Sequence, residues 1–140
     1  MKVQLSVQSM KLTWAKPDKL RWHPFGVFGG LNLEDKAFDN LSGVFCIFST
    51  STKFIPTRRP PVQPVYKTVY VGAGDIRKCI TTLRRERSVK RHGPQSVTWA
   101  EVPEALQARV TAYLADQLNP LEPHSNPEVE PLQVNLPYTP

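Results

Sequence analysis

The sequence predicts an α+β domain, and three observations lead to that class. Residues 43–48 and 65–71 are rich in β-branched and aromatic side chains, which is typical of strands. Two later segments, starting at Ile76 and at Pro103, carry apolar residues at helical spacing, with a short strand predicted at 97–99 between them. The order strand, strand, helix, strand, helix, with extended ends, belongs to the α+β class.

The two strands are predicted to pair as an antiparallel hairpin with an insertion. The first is the apolar run 43–48, and the second is the run 65–71, which contains two tyrosines. Residues 49–63 are predicted to form a loop, because four Ser and Thr residues open the segment and three prolines surround an Arg-Arg pair.

Both helices have recognisable starts. Asp75 has the residue type preferred at an N-cap, and the helix after it is predicted to end within residues 87–93. Pro103 is suited to the first turn of the second helix, which the pair 119–120 (Asn-Pro) ends. The apolar positions are Ile76, Ile80 and Leu83 in the first helix, and Leu106, Val110, Tyr113, Leu114 and Leu118 in the second.

The whole chain is interpreted as one domain, residues 1–140, with its core at about 41–120. Residues 1–40 form a weakly patterned N-terminal extension with strand-like alternation at 3–7. Residues 121–140 are an extended, proline-rich tail that is expected to pack on the core through Val134 and Leu136. Bulky residues expected to cover the core from the extension are Trp14, Leu20, Trp22, Phe25 and Phe28.

Composition excludes several classes of protein. The chain has 140 residues, of which 40% are hydrophobic and 21% charged, so a packed core is expected and wholesale disorder is not. No apolar run approaches the ~18 residues of a membrane span. Cys46 and Cys79 lack a CxxC spacing and are interpreted as packing residues. The first residues show no secretory signal, so a cytoplasmic location is expected.

Positive charge is concentrated in one segment. The net charge of the chain is +6, and residues 77–92 alone account for that excess, with Glu86 as their single acid. A basic segment on an otherwise neutral body indicates a site for a polyanion, although the same charges could simply solvate a helix. The basic residues are Arg77, Lys78, Arg84, Arg85, Arg87, Lys90 and Arg91.

The two predicted strands carry the motifs Gly-Val-Phe at residues 43–45 and Tyr-Val-Gly at residues 70–72, and with these motifs the chain resembles the GIY-YIG nuclease superfamily. The first signature triplet is similar to residues 43–45 (Gly-Val-Phe) and the second to residues 70–72 (Tyr-Val-Gly). The closer resemblance is to a group of small bacterial and phage GIY-YIG-like proteins, which share four ordered segments. Those segments are similar to residues 69–77, 97–102, 113–121 and 130–137 of this chain.

The resemblance implies a fold and an activity. The fold is a small central antiparallel sheet flanked by helices. Active members hydrolyse a DNA phosphodiester with one divalent metal, Mg²⁺ or Mn²⁺, which lowers the pKa of bound water. A glutamate on the last helix holds the metal, an arginine on the first helix stabilises the phosphate, and the tyrosines of the two triplets line the site.

Most of these functions have no counterpart in this chain. Tyr70 corresponds to the tyrosine of the second triplet, but that of the first is Phe45, which lacks the hydroxyl. The arginine falls on Cys79, and the metal-binding glutamate falls on Thr111, which has no carboxylate. Asn119 is retained. The expected site is therefore degenerate, with no catalytic residue and no cofactor.

The preferred hypothesis is a catalytically inactive GIY-YIG-like protein that binds nucleic acid, DNA rather than RNA, through the seven basic residues of segment 77–92. One alternative is a structural or interaction subunit of a larger nucleoprotein assembly, with a protein partner at the proline-rich loop 56–64. Another is a divergent endonuclease that uses Mg²⁺ or Mn²⁺, with candidate site residues Tyr70, Glu104, Arg77 or Arg84, and His92 as base.

Overall fold

The computed structural model describes residues 9–15, 23–24, 33–93, 95–122 and 129–139. The strand-like alternation at residues 3–7 lies outside the described residues, as do Leu20, Trp22, Phe25 and Phe28. Trp14 is described, and it packs partly buried against the core, with its indole nitrogen donating to the Asn135 carbonyl at 2.9 Å.

Strands and helices alternate irregularly along the described chain, which confirms the α+β prediction. A 3₁₀ turn at Lys36–Phe38 precedes the long hairpin. The strands are β1 (Ser9–Met10), β2 (His23–Pro24), β3 (Ser42–Phe54), β4 (Val62–Asp75), β5 (Ser96–Glu101) and β6 (Gln133–Val134). The helices are α1 (Ile76–Leu83), α2 (Arg87–Lys90) and α3 (Glu104–Leu118).

The main sheet is antiparallel and has the order β2-β5-β3-β4. β3 is the inner strand because β5 pairs with it along residues 43–48 and β4 pairs with its whole length. The β3–β4 register shifts between Ile47 and Phe48, where Val69 of β4 is an extra residue without a partner in β3.

Each face of β3 packs against a different helix. Val44, Cys46 and Phe48 are buried in one cluster with apolar residues of α3, whereas Phe45 and Ile47 are buried in a second cluster with residues of α1. Neighbouring side chains of a strand point to opposite faces, so α1 and α3 lie on opposite sides of the sheet. The domain therefore has two cores, separated by the sheet.

The prediction of a loop at 49–63 is wrong, and so is that of one continuous helix after Asp75. β3 and β4 stay paired out to Phe54 and Val62, so the connecting turn occupies only residues 55–61. Beyond Phe48 no third strand among the described residues is paired with them, and residues 49–67 form a two-stranded segment, here named the ribbon arm. The first helix ends at Leu83 and α2 begins at Arg87.

Residues from both ends of the described chain form a clasp against the α3 side of the sheet. β1 pairs in parallel with β6, and the Asn135 side chain bonds both the N–H and the carbonyl of Leu12. Leu132 is fully buried in the same cluster as α3, and the Leu132 N–H donates to the Arg109 carbonyl at 3.1 Å. No described helix has the length and apolar character needed to cross a membrane.

Candidate nucleic-acid interface

Three of the five positions carried over from the resemblance meet on the α1 side of the sheet. The rings of Phe45 and Tyr70 stack with centroids 5.9 Å apart and an interplanar angle of 16°. Gly72 lies beneath them, where an added Cβ would be 2.7 Å from the Phe45 ring. Cys79 packs at the same cluster, and its Sγ is 3.7 Å from the Ala73 carbonyl.

The two ionisable groups of this cluster are held in their neutral forms. Burial raises the pKa of the Tyr70 hydroxyl, and the neighbouring Cys79 and Glu86 raise it further. Burial also raises the pKa of the Cys79 thiol, with a further contribution from the Asp75 carboxylate. A raised pKa keeps the thiol protonated, and a protonated thiol is a poor nucleophile and a poor metal ligand.

The other two positions carried over from the resemblance are Thr111, within α3, and Asn119, directly after it. Thr111 is buried on the opposite side of the sheet, and its hydroxyl donates to the Gln107 carbonyl one turn earlier at 2.7 Å. Asn119 is the C-cap of α3 in the left-handed region, with φ of 48°, and is exposed. The sheet therefore separates Thr111 from Tyr70 and Cys79.

Three of the residues proposed for the alternative endonuclease site form hydrogen bonds with other parts of the protein or are exposed. Arg77 donates to the carbonyls of Leu33 and Asp35 and to the Asp39 carboxylate. Glu104 is exposed at the start of α3. The His92 ring bonds the Glu122 carboxylate, as described below. Within the described ranges, no three His, Cys, Asp or Glu side chains are grouped to hold a metal ion.

The seven predicted basic residues divide into two kinds of environment. Arg77 is bound within the protein, as above, and half-buried Arg84 has its pKa lowered by burial. The other five are exposed along the solvent side of α1, the turn after it and α2, and are here named the basic surface. They are Lys78, Arg85, Arg87, Lys90 and Arg91.

Glu122 fixes the end of the basic surface to the sheet. Its side chain is only 9% exposed, and its Oε2 lies 3.1 Å from the Arg91 guanidinium and 3.0 Å from Nε2 of His92. The Glu122 N–H donates to the Val69 carbonyl of β4 at 2.9 Å. Hydrogen bonds from His92, and more weakly from Arg91 and Ser88, lower the pKa of the carboxyl despite its burial.

Sequence reasoning did not single out Glu122, or Asp39 as the partner of Arg77. Both are acids far along the chain from the cations they bind, since Glu122 is 31 residues from Arg91 and Asp39 is 38 residues from Arg77. The only available signal was the excess of cations in segment 77–92, with which acids elsewhere in the chain can pair.

Glu122→Gln is expected to make the stability of the protein depend less on pH in the acid range. Because the folded state lowers the pKa of Glu122, the stability it contributes is present above its ordinary value of 4.5 and is lost as the pH falls through the lowered value. Thermal unfolding between roughly pH 5 and 3 measures this difference. Glu101→Gln, which removes one carboxylate from an exposed position of β5, is the control against which the Glu122→Gln curve is compared. An equal change in the two variants would contradict the role of Glu122.

Compared with known proteins, the chain matches no family model, no curated protein and no solved structure.

Proposed function

We propose that this protein binds nucleic acid, DNA rather than RNA, through its basic surface and does not cleave it. Five exposed cations lie within fourteen residues, Lys78 to Arg91, and Glu86 is the single acid in that interval. Clustered cations on one surface bind phosphates by displacing their counterions. This local excess of exposed positive charge is the observation that carries the proposal.

The basic surface is also held in place, which favours binding over simple solvation of a helix. Val89 of α2 is buried among the residues of the α1-side core, and Glu122 anchors Arg91 while leaving the Arg91 side chain 67% exposed. Cations fixed in position lose less conformational entropy on binding than cations on a mobile segment.

The absence of cleavage follows from residue chemistry. The phosphate-binding arginine and the metal-binding glutamate of active GIY-YIG proteins correspond here to a neutral thiol, Cys79, and to a buried hydroxyl, Thr111. Neither can take over the role of the residue it replaces, because charge is required in both places. The same resemblance supports a GIY-YIG-like fold, which remains part of this proposal.

The test is the salt dependence of DNA affinity for Arg87→Gln/Lys90→Gln. Each lost phosphate contact lowers the slope of log K against log salt by about 0.9, so the double variant should lose about 2. Fluorescence anisotropy with a labelled duplex across a salt series measures the slope. The matched control is Lys11→Gln/Lys36→Gln, which removes two exposed cations outside the basic surface and should leave the slope unchanged.

Two results would contradict the proposal. Equal slopes for the two double variants would show that the charge of α2 is not used for binding. Nicking of supercoiled DNA with Mg²⁺ or Mn²⁺, lost in Tyr70→Phe/Glu104→Gln, would establish the endonuclease alternative instead. Circular dichroism of each variant verifies folding, since all four substituted cations are exposed.

A further inference from the structure

The ribbon arm begins against the body, where the rings of Tyr66 and Tyr138 stack with centroids 4.9 Å apart, and every residue of β3 from Thr50 to Phe54 is exposed. After the shift at Phe48, regular antiparallel pairs continue from Ser49 with Lys67 to Phe54 with Val62. At ~3.3 Å per residue these six pairs span about 17 Å. The tip is closed by backbone bonds, from the Ile55 N–H to the Pro61 carbonyl at 2.7 Å and from the Arg58 N–H to the Ile55 carbonyl at 3.0 Å.

The arm carries positive charge only. Between Ser49 and Gly74 the sequence contains no Asp or Glu, and all the cations of this stretch are exposed. They are Lys53, Arg58, Arg59 and Lys67. The arm is therefore a second concentration of charge, separate from segment 77–92, and the remainder of the chain has more acids than bases.

The side of the arm that carries Lys53 and Lys67, here named the charged face, is continuous with the side of the sheet against which α1 packs. Odd-numbered residues of β3, such as Phe45 and Ile47, point toward the α1-side core. Lys53 is also an odd-numbered residue of β3, so it lies on the same side of the strand. Lys67 of β4 lies on that side too, because it is paired with Ser49. Phe54 and Val62, 68% and 53% exposed, form a cross-strand pair on the other face.

The base of the arm lies beside the basic surface. Glu122 bonds Val69, at the shift where the arm leaves the sheet, and the same carboxylate binds Arg91. Val89 of α2 packs in one cluster with Val69. One face of the protein thus presents two sets of cations, one on α2 and one along a projection of about 17 Å.

We propose, resting on the proposed function, that the ribbon arm is a second contact for the same DNA and lies in a groove of the duplex. A two-stranded ribbon fits the major groove, which is about 12 Å wide. The cations of the arm contact phosphates on the groove walls, while Val65, which is 40% exposed and paired with Ser51 on the charged face, contacts base edges, as apolar side chains do with the thymine methyl group. A protein partner is less favoured, because the exposed large apolar side chains of the arm are few and divided between its two faces, with Phe54 and Val62 on one face and Val65 on the other.

Lys53→Gln/Arg58→Gln tests the arm on a duplex of about 20 base pairs, two helical turns. The salt slope should fall by about 2, and combining the change with Arg87→Gln/Lys90→Gln should lower it by about 4, since distant sites act additively. Val65→Ala should weaken binding without changing the slope, because it removes an apolar contact of the charged face. Phe54→Ala, on the opposite face, is the control and should leave affinity and slope unchanged. The changes at Lys53, Arg58 and Phe54 should not alter the melting temperature, since all three side chains are exposed.

Three outcomes separate the two proposals. A slope lowered by the α2 change but not by the arm change overturns the arm contact and leaves the proposed function standing. No binding by the unmodified protein overturns both. An equal effect of the arm change on a single strand of the same sequence overturns placement in a duplex groove.

Discussion

Gly43→Ala is expected to abolish most of the stability of the fold. A Cβ at this position would overlap the carbonyl oxygen of Ala100 and lie 2.9 Å from both the Ala100 carbonyl carbon and the Glu101 Cα. All three atoms belong to the backbone of β5, so relief requires β3 and β5 to separate. We expect a loss of more than ~3 kcal/mol in the free energy of unfolding, measured by urea denaturation.

Gly93→Ala is the matched control for this prediction. Gly93 has a φ of +83°, but an added Cβ would meet no atom within 4 Å. Its cost is therefore limited to backbone strain, about 1 kcal/mol. A loss at Gly43 no larger than that at Gly93 would show that the two strands are not as closely packed as described.

Phe48→Ala is expected to destabilise the protein by about 3–5 kcal/mol, because it removes a large side chain from a site that cannot collapse. Phe48 is fully buried, and its ring lies 4.5 Å from that of Tyr138 and 5.9 Å from that of Tyr66. The cavity would open between the sheet and the C-terminal segment. Denaturant unfolding monitored by tyrosine fluorescence measures the change.

Phe54→Ala is the matched control for Phe48→Ala, because Phe54 lies on the same face of β3, six residues after Phe48. Phe54 is 68% exposed, so its truncation should alter stability by less than ~0.5 kcal/mol. Similar losses at Phe48 and Phe54 would mean that the arm packs against the body instead of projecting from it.

The buried half of the long hairpin could be predicted from the sequence, but its exposed half could not. Residues 43–48 bury every side chain, and that continuous apolar run is itself a strand signal. Residues 50–54 are exposed on both faces and show no apolar alternation, so only their pairing with β4 makes them a strand. Pro64 is accommodated because β4 is an edge strand of the sheet.

The charges of the candidate interface were visible in the sequence, but their division into exposed and bound residues was not. Ile76, Ile80 and Leu83 predict which face of α1 is buried, and Asp75 caps the helix through the Lys78 N–H as its residue type suggests. Whether Arg77 stays free depends on Leu33, Asp35 and Asp39, which reach it only through the tertiary fold. Local patterns carry no information on such distant partners.

The clasp between the two ends of the described chain determines the order in which the domain assembles. The hydrogen bond between Leu12 and Asn135 joins residues that are 123 positions apart in the chain, whereas the turn that joins β3 to β4 spans only residues 55–61. Loop-closure entropy grows with the logarithm of loop length, so the clasp costs about 2.5 kcal/mol more to initiate than the hairpin. We therefore expect the hairpin to form before the clasp, and the α3-side core to reach its final packing only when the clasp has closed.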